Sequence, residues 1–550
     1  MMATIRRFRR PPTQDEIDEK IRRAVEQPVR PKADAVVVES RHDIARNLAW
    51  RYRANGLSED DVLQRVLDSP EGRELVADKR EAELARLVSS AFAKEPDHFH
   101  LTDLGNARRF AYEHADRARY SYTSRQWLAW SGRHWQREAD AAIQRLAKRT
   151  VLGLYGEASR CENEDHRKRI AAHAAKSEGA DRIAAMLRLA RSEREMSTTD
   201  DVLDRDPMLL NVDNGTLDLS TAELRPHDPA DLITHMLDVT YDPRATCPQW
   251  LAFLEYVLDD DTALVAFVKR LVGYILTGST SEQILVLLYG PGNNGKTVFL
   301  EVLRALLGSL ARMARFQSFL VKRNDGIPTD IARLHGARLV TAAESQEGSR
   351  LDEALVKQLT GGDTVMARFL YQKEFEFRPT FKLLLMANHR PVIRGTDLAI
   401  WRRVKLIPFL VTIPKSVRDP NLTAKLRGEM PGILAWAVEG CMEWQTEGLG
   451  TPRTVRQATA TYRSDMDILG AFLSERCEVS KTAVVSAKAL YAAYVFWCAS
   501  SGERPVSKRA FGLAMEERGF ESRREWVAAE GVKRLMWSGL APWKRRGIRK

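Results

Sequence analysis

The sequence predicts a multidomain α/β protein organised around a parallel-sheet core. Three observations carry that prediction. The chain has 550 residues, enough for about three or four domains. Four short, almost continuous apolar runs alternate with stretches of helical periodicity, the pattern of strands buried on both faces. The first of these runs ends in a glycine-rich loop that opens a helix.

Residues 1–35 are charged and carry Pro11, Pro12, Pro28 and Pro31. They read as a mobile basic arm with one short helix over 14–26. A small helical segment follows over 36–95, and Leu57-Ser58-Glu59-Asp60-Asp61-Val62 reads as a capped helix start. Residues 96–240 mix helix and strand and are rich in aromatics, among them Tyr120, Tyr122, Trp127, Trp130 and Trp135. Asn214-Gly215 marks a tight turn before Thr216-Leu217-Asp218-Leu219. Apolar residues recur at helical spacing from Trp250 to Leu276, giving a helical collar over 241–280.

The α/β core spans 281–445. Its strands are expected at 284–289, 338–343, 381–387 and 403–408, with helices at 296–307 and 351–360. A terminal module over 451–550 is mostly helical and increasingly basic. Its last 50 residues hold 13 Lys and Arg against 6 Asp and Glu.

Composition removes several function classes. No apolar run approaches the roughly 18 residues that span a bilayer, and the basic N-terminus lacks an apolar signal core, so the reading is cytoplasmic. The five cysteines are scattered, with no CxxC pair and no Cys/His cluster, which argues against structural zinc and a disulfide framework. They read as small buried apolar residues. A net charge of +11 and a pI near 9.4 point to a polyanionic partner, because Lys and Arg gain by displacing counterions from phosphates.

The segment Gly290-Pro291-Gly292-Asn293-Asn294-Gly295-Lys296-Thr297 fits GxxxxGK[ST] at each fixed position, after a buried strand and before a helix. Glycines let backbone N–H groups converge on phosphates. The helix that follows offers free N–H groups and the positive end of its dipole. Lys296 neutralises the β- and γ-phosphates and the Thr297 hydroxyl ligates Mg2+, so ATP and Mg2+ are the expected cofactors.

Hydrolysis also needs an acid, a polar sensor and usually an arginine from a neighbouring subunit. Glu344 ends the strand at 339–343 and could serve metal and water. Asn388 ends the strand at 383–387 and could orient the attacking water. Arg402 and Arg403 precede the strand at 404–407.

These residues stand in the order GPGNNGKT, RLVTAAE, LVKQLTGGDTVMARFLYQKEFEF, LLLMANHRP and IWRRVKLIPF. The set resembles the superfamily 3 helicase core of phage and plasmid primase-helicases, relatives of the poxvirus-type primase-helicase, most strongly over 240–410. TDLGNARRF at 102–110 and LLNVDNGTLDL at 209–219 resemble the N-terminal module of the same family. The resemblance implies an AAA+-like ATPase working as a ring, usually a hexamer. Glu344 then matches the Walker B acid, Asn388 the sensor asparagine, and Arg403 the trans-acting arginine finger, with Arg402 second. Many members carry two adjacent acids, whereas Ser345 follows Glu344 here. Either Glu344 serves both roles or Glu347 supplies the second carboxylate. The family's hairpin, expected over 364–377, projects into the central channel, where Lys373 would touch the DNA backbone and Arg368 would line the same path.

Residues 453–550 resemble the winged-helix module often fused behind this helicase, with helices over 456–475 and 486–500. Ser507 would cap a third helix carrying Lys508, Arg509 and Phe511, and a wing would carry Arg523, Arg524, Lys533 and Arg534 before the basic Lys544-Arg545-Arg546. Residues 55–92 resemble the small helical segment that follows the primase in such proteins. Only about 100 residues precede TDLGNARRF and hold no carboxylate–histidine or cysteine constellation, so no primase site is expected in this chain. The leading expectation is a 3′–5′ ATP-dependent DNA helicase for replication of a phage, plasmid or other mobile element. It would bind single-stranded DNA in the ring and duplex at the terminal module, with a separate primase or initiator as partner. The alternatives are an origin-melting initiator and a DNA-dependent ATPase of defence or packaging.

Overall fold

The computed structural model describes residues 59–67, 99–138, 140–321, 329–343, 348–369, 374–394, 398–527 and 532–542. The basic arm, its helix at 14–26 and all of 36–95 except 59–67 lie outside the described residues. So do Glu344, Glu347, Lys373 and Lys544-Arg545-Arg546. The anticipated helix start is present as α1 (Glu59–Leu67), which buries Val62 and Val66 one turn apart.

The chain divides into two compact units, Met1–Ala115 with Ala147–Ala190, and Asp116–Leu146 with Arg191–Lys550. The first is helical: α2 (Asp103–His114), α3 (Ala142–Arg160), whose first turn belongs to the second unit, α4 (Glu164–Ser177) and α5 (Ala180–Ala190). The 102–110 motif has structural work here. The Thr102 hydroxyl accepts from Gly105 N–H at 3.1 Å and caps α2. Asn106 donates to Ser177 Oγ at 2.9 Å, and the buried Arg109 grips Glu157 through Nε and Nη2 at 3.2 and 3.1 Å.

The second unit opens with β1 (Ala118–Ser121), β2 (Gln126–Trp130), β3 (Trp135–Arg137) and β4 (Ser197–Thr198), ordered β3-β2-β1-β4. Its aromatics pack on one another: Tyr120 on Trp127, and Trp130 on Trp135. A meander follows, β5 (Leu209–Val212), β6 (Gly215–Asp218) and β7 (Glu223–Arg225). Asn214 fixes its turn by bonding both the N–H and the carbonyl of Tyr241, at 2.9 and 3.0 Å. The collar is α6 (Pro248–Val257) and α7 (Thr262–Leu276), the latter capped by Asp261.

The core comprises β8 (Leu285–Tyr289), α8 (Lys296–Leu307), β9 (Ala311–Met313), α9 (Thr329–Ala332), β10 (Leu339–Ala343), α10 (Glu353–Thr360), β11 (Val365–Arg368), β12 (Glu374–Phe377), β13 (Lys382–Ala387), α11 (Leu398–Trp401) and β14 (Val404–Pro408). Five strands form a parallel sheet ordered β14-β8-β13-β10-β9. The continuous apolar runs are explained by two covered faces. Val286, Leu288, Leu384 and Ile407 enter one core, and Leu285, Leu287, Leu383, Leu385, Val404 and Leu406 enter the other. The hairpin β11–β12 stands apart as a two-stranded antiparallel ribbon. Strand β9, three residues long, was not expected from the sequence.

Helices α12 (Leu422–Arg427), α13 (Met430–Glu447) and α14 (Arg453–Met466) close the core. α14 covers the edge strand β14: Leu406 N–H donates to Thr459 Oγ1 at 3.1 Å, and the fully buried Tyr462 packs on Trp401. The terminal module has its own core of Phe472, Leu490, Tyr494, Trp497, Phe511 and Trp537. Its elements are α15 (Ile468–Arg476), β15 (Cys477–Ser486), α16 (Ala487–Ser500), α17 (Lys508–Glu517), β16 (Ser522–Val527) and β17 (Val532–Pro542), with sheet order β15-β17-β16. The single helix expected over 456–475 is broken at Asp467, whose carboxylate accepts from Gly470 N–H at 2.8 Å and starts α15.

At the sheet edge where the strands begin, two buried cations meet the C-terminal end of α7. Arg338 donates to the carbonyls of Leu276 and Leu209, and Lys382 to those of Thr277 and Ser279. Helix C-terminal carbonyls lack internal partners and carry partial negative charge, which suits both cations. Burial lowers both pKa values, that of Arg338 to about 10. Lys382→Met keeps apolar bulk but strips two carbonyls of their donor. Thermal denaturation is expected to show a loss of about 2–4 kcal/mol; an unchanged midpoint would show that the carbonyls find other partners.

Candidate functional site

The phosphate-binding loop leaves β8 at the edge of the sheet where the parallel strands end. Its glycines are required by space and by backbone angle. A Cβ on Gly290 would lie 1.9 Å from the Phe409 carbonyl oxygen, and Gly295 has φ +85° with Val257 2.7 Å from its would-be Cβ. Asn293 also sits in the left-handed region, at φ 63°, which Asn tolerates. Because Gly295 precedes α8 with no capping side chain, the first-turn N–H groups receive no bond from it. Pro291 and Gly292 are exposed at the crest of the loop.

Lys296 is 3% exposed. Its ammonium donates to Gly290 O at 2.6 Å, Asn294 Oδ1 at 3.0 Å and Pro291 O at 3.3 Å. Burial lowers its pKa to about 8. Asn294, also buried, donates through Nδ2 to Phe409 O at 2.7 Å, tying the loop to the end of β14. This role of Asn294 was not read from the sequence, since its partner lies 115 residues away. Thr297 is exposed on the first turn of α8, with its hydroxyl 3.7 Å from Met386 Sδ on β13.

The neighbouring strands end at the same edge. β13 lies between β8 and β10, and the next residue after β13 is the exposed Asn388. β10 ends at this edge with Ala343; Glu344, the next residue in sequence, lies outside the described residues. Ligands of open α/β sheets bind at such an edge.

Arg402 and Arg403 stand at the other end of the strands. Val404 pairs with Leu285 and Pro408 with Tyr289, so the arginines, just before β14, and the phosphate loop, just after β8, lie a full strand length apart. That separates them from the loop of their own chain by roughly 13 Å or more of extended backbone. Arg403 is 7% exposed and donates to Ala399 O at 2.7 Å. Both arginines donate to Gln283 Oε1, Arg402 at 3.2 Å and Arg403 at 3.3 Å, but only Arg402 is exposed. Arg402 also lines a groove of about 740 Å3 with Lys405, Arg456 and Arg463.

Of the two hairpin residues, Arg368 is exposed on β11 opposite Glu374, and Lys373 lies outside the described residues. In the terminal module Ser507 accepts from Ala510 N–H at 3.3 Å and caps α17, and Lys508 and Arg509 are exposed on its first turn. Arg523, Arg524, Lys533 and Arg534 are exposed on the β16–β17 hairpin. Among the described residues there is no cluster of His, Cys, Asp and Glu able to hold a metal ion, and no helix long and apolar enough to cross a membrane. Four of the five cysteines are buried; burial raises the thiol pKa values of Cys247, Cys441 and Cys477 to about 11, away from reactivity.

Three family models match successive parts of the chain: "D5 N terminal like" over 107–259, "Family of unknown function (DUF5906)" over 288–403 and "Poxvirus D5 protein-like" over 464–533. Among curated proteins, the chain is 28% identical to "Putative helicase L207/L206" of Acanthamoeba polyphaga mimivirus, over 50% of this chain and 31% of that protein. It is 25% identical to "Putative helicase 022R" of Frog virus 3, over 48% and 29%. It is 24% identical to "Putative primase C962R" of African swine fever virus (isolate Warthog/Namibia/Wart80/1980), over 54% and 34%. The chain thus matches about a third of the length of these relatives. Among solved structures, the C-terminal region of NrS-1 aligns with a TM-score of 0.44 at 9% identity, over 77% of this chain and 96% of that one.

Proposed function

We propose, for a chain that belongs to the D5-type primase-helicase family of superfamily 3, the work of a ring-forming, ATP-driven motor on DNA. The supporting observation is the composition of one sheet edge. A phosphate loop, a sensor-type asparagine and the strand leading to Glu344 converge there, while two arginines stand at the opposite edge. The strand order, with β13 between the loop strand and the acid strand, suits an AAA+-like ATPase.

ATP and Mg2+ fit the residues present. Gly290 and Gly295 keep the loop free of side chains, Lys296 supplies the cation for phosphate, and the exposed Thr297 hydroxyl would hold the metal together with Glu344. Bound Mg2+ would neutralise charge on the phosphates. Asn388 orients water. Arg402, already exposed, is the guanidinium that reaches a neighbouring subunit. Arg403, held by Ala399 and Gln283, positions it through their shared acceptor. The groove that Arg402 shares with Lys405, Arg456 and Arg463, against the single acid Asp467, gives this face a net positive charge suited to a neighbour carrying nucleotide. Hexameric assembly, 3′–5′ polarity and replication of a mobile element follow by family analogy. The test is ATP turnover with and without single-stranded DNA. Stimulation by DNA is expected; turnover indifferent to DNA at all concentrations would contradict the reading.

The terminal module favours a second, compatible role in duplex binding. Three helices and a two-stranded wing, with cations on the first turn of the Ser507-capped helix, suit a winged helix in the major groove. Lys508→Ala/Arg509→Ala is expected to weaken duplex binding and lower its salt slope by about 1.8. An unchanged slope would remove α17 from the DNA interface. A truncation that spares the ATPase core must begin after Met466, because α14 covers β14.

A further inference from the structure

The hairpin β11–β12 carries a column of aromatic rings that runs out of the core toward its tip. Phe377 is buried in the core beside the sheet. Phe375 lies 5.9 Å from it, at 30°. Phe369 lies 5.3 Å from Phe375, at only 13°. His335 braces the column with its edge, 5.2 Å from Phe377 and 5.8 Å from Phe375. Ala367 pairs with Phe375 and Val365 with Phe377, so one face of the ribbon carries the column. The other face presents Met366 and Arg368, both exposed.

The last ring is the unusual one. Phe369 is 36% exposed, one residue beyond the end of β11, and parallel to the ring beneath it. Isolated aromatic pairs in proteins adopt offset-stacked or edge-on arrangements. A parallel column continues most naturally by adding another flat ring. Nucleobases are such rings, and each base has a π face, so stacking on Phe369 would be indifferent to sequence, as a translocating motor requires. The exposed Arg368, adjacent in the chain but on the opposite face of the ribbon, adds positive charge to the hairpin for the phosphate backbone.

We propose that Phe369 is a base-stacking residue for single-stranded nucleic acid, supported from below by Phe375, Phe377 and His335. The inference rests on the hairpin facing DNA in the ring, and deepens that reading by assigning a contact to the base in addition to the backbone. Stacking of this kind keeps the strand engaged without reading it, and the rigid column beneath lets a movement of the hairpin be delivered to the base without loss in side-chain motion.

The experiment uses the full chain with a non-hydrolysable ATP analogue and two oligo-dT strands, one intact and one with consecutive abasic sites. Wild-type protein should bind the intact strand about 5- to 100-fold more tightly than the abasic one. Phe369→Ala and Phe369→Leu should lose that preference and bind both strands like the wild type on the abasic strand. Phe369→Trp should keep it, with indole fluorescence quenched by the intact strand alone. Several outcomes would overturn the proposal. One is Phe369→Leu behaving as wild type, which makes the ring mere apolar bulk. Another is Phe369→Ala weakening both strands equally. A third is ring mass falling in step with affinity, which makes Phe369 a contact with a second copy of the chain. Wild-type protein that binds neither strand would instead contradict the motor reading itself.

Discussion

Lys296→Ala protein is expected to turn over ATP at least about 10²–10³-fold more slowly than wild type. Its charge acts on phosphate oxygens that become more negative as the bond to the γ-phosphoryl group breaks. The structure adds a qualification to the stability of this variant. Lys296 is buried and bonds three oxygens of its own loop, so its removal leaves those acceptors unpaired. The cost should be about 1–3 kcal/mol, visible as a modest fall in melting temperature without loss of secondary structure. Near-normal turnover by a folded Lys296→Ala protein would remove the loop from catalysis.

Arg402→Ala is expected to bind nucleotide and to hydrolyse it about 10³-fold more slowly or worse. The geometry supplies the reason. The arginine pair stands at the beginning of β14, and its own chain's phosphate loop stands beyond the end of the paired strand β8. A guanidinium so placed serves a neighbour. Mixing Arg402→Ala with Lys296→Ala should therefore restore activity that neither shows alone. By random assembly about a quarter of the interfaces then join an intact loop to an intact arginine, so activity should approach about a quarter of wild type. Arg403→Ala is the companion variant. Loss of the Ala399 bond should slow hydrolysis less than Arg402→Ala does, and Arg403→Lys should restore part of it. A larger loss with Arg403→Ala, complemented in mixed rings, would make Arg403 the reaching residue. Mixed rings that assemble and stay at the parental floor would end the trans assignment for both.

The parts of this site that could be read from the sequence share a physical property: their signal is local. Glycine spacing, a following helix and an uninterrupted apolar strand all fall within 284–307, so the loop and its flanks were readable together. The four core strands were readable because burial on both faces leaves no polar alternation. What escaped depends on partners distant in the chain. Asn294 reads as one more polar loop residue until Phe409 is brought against it. Lys382 opens an apolar run, and it is fully buried because the turn that follows α7 brings it the carbonyls of Thr277 and Ser279, 105 and 103 residues away. Strand β9 is three residues long, too short for periodicity to register. The break at Asp467 was legible in principle, because Asp directly before an apolar stretch is an N-cap signal, but helical periodicity runs through it. The arginines illustrate the converse. Adjacent in sequence, they are separated by burial alone: one packs inward against Ala399 and the other faces out.

Strand displacement on forked DNA tests the central claim most directly. The full chain, given ATP and Mg2+, should separate a fork bearing a 3′ single-stranded tail. The same fork should stay intact with a non-hydrolysable analogue or with Lys296→Ala protein. Vigorous, DNA-stimulated ATP turnover with no strand separation on forks of either polarity would contradict the motor, and would leave a DNA-bound ATPase in its place.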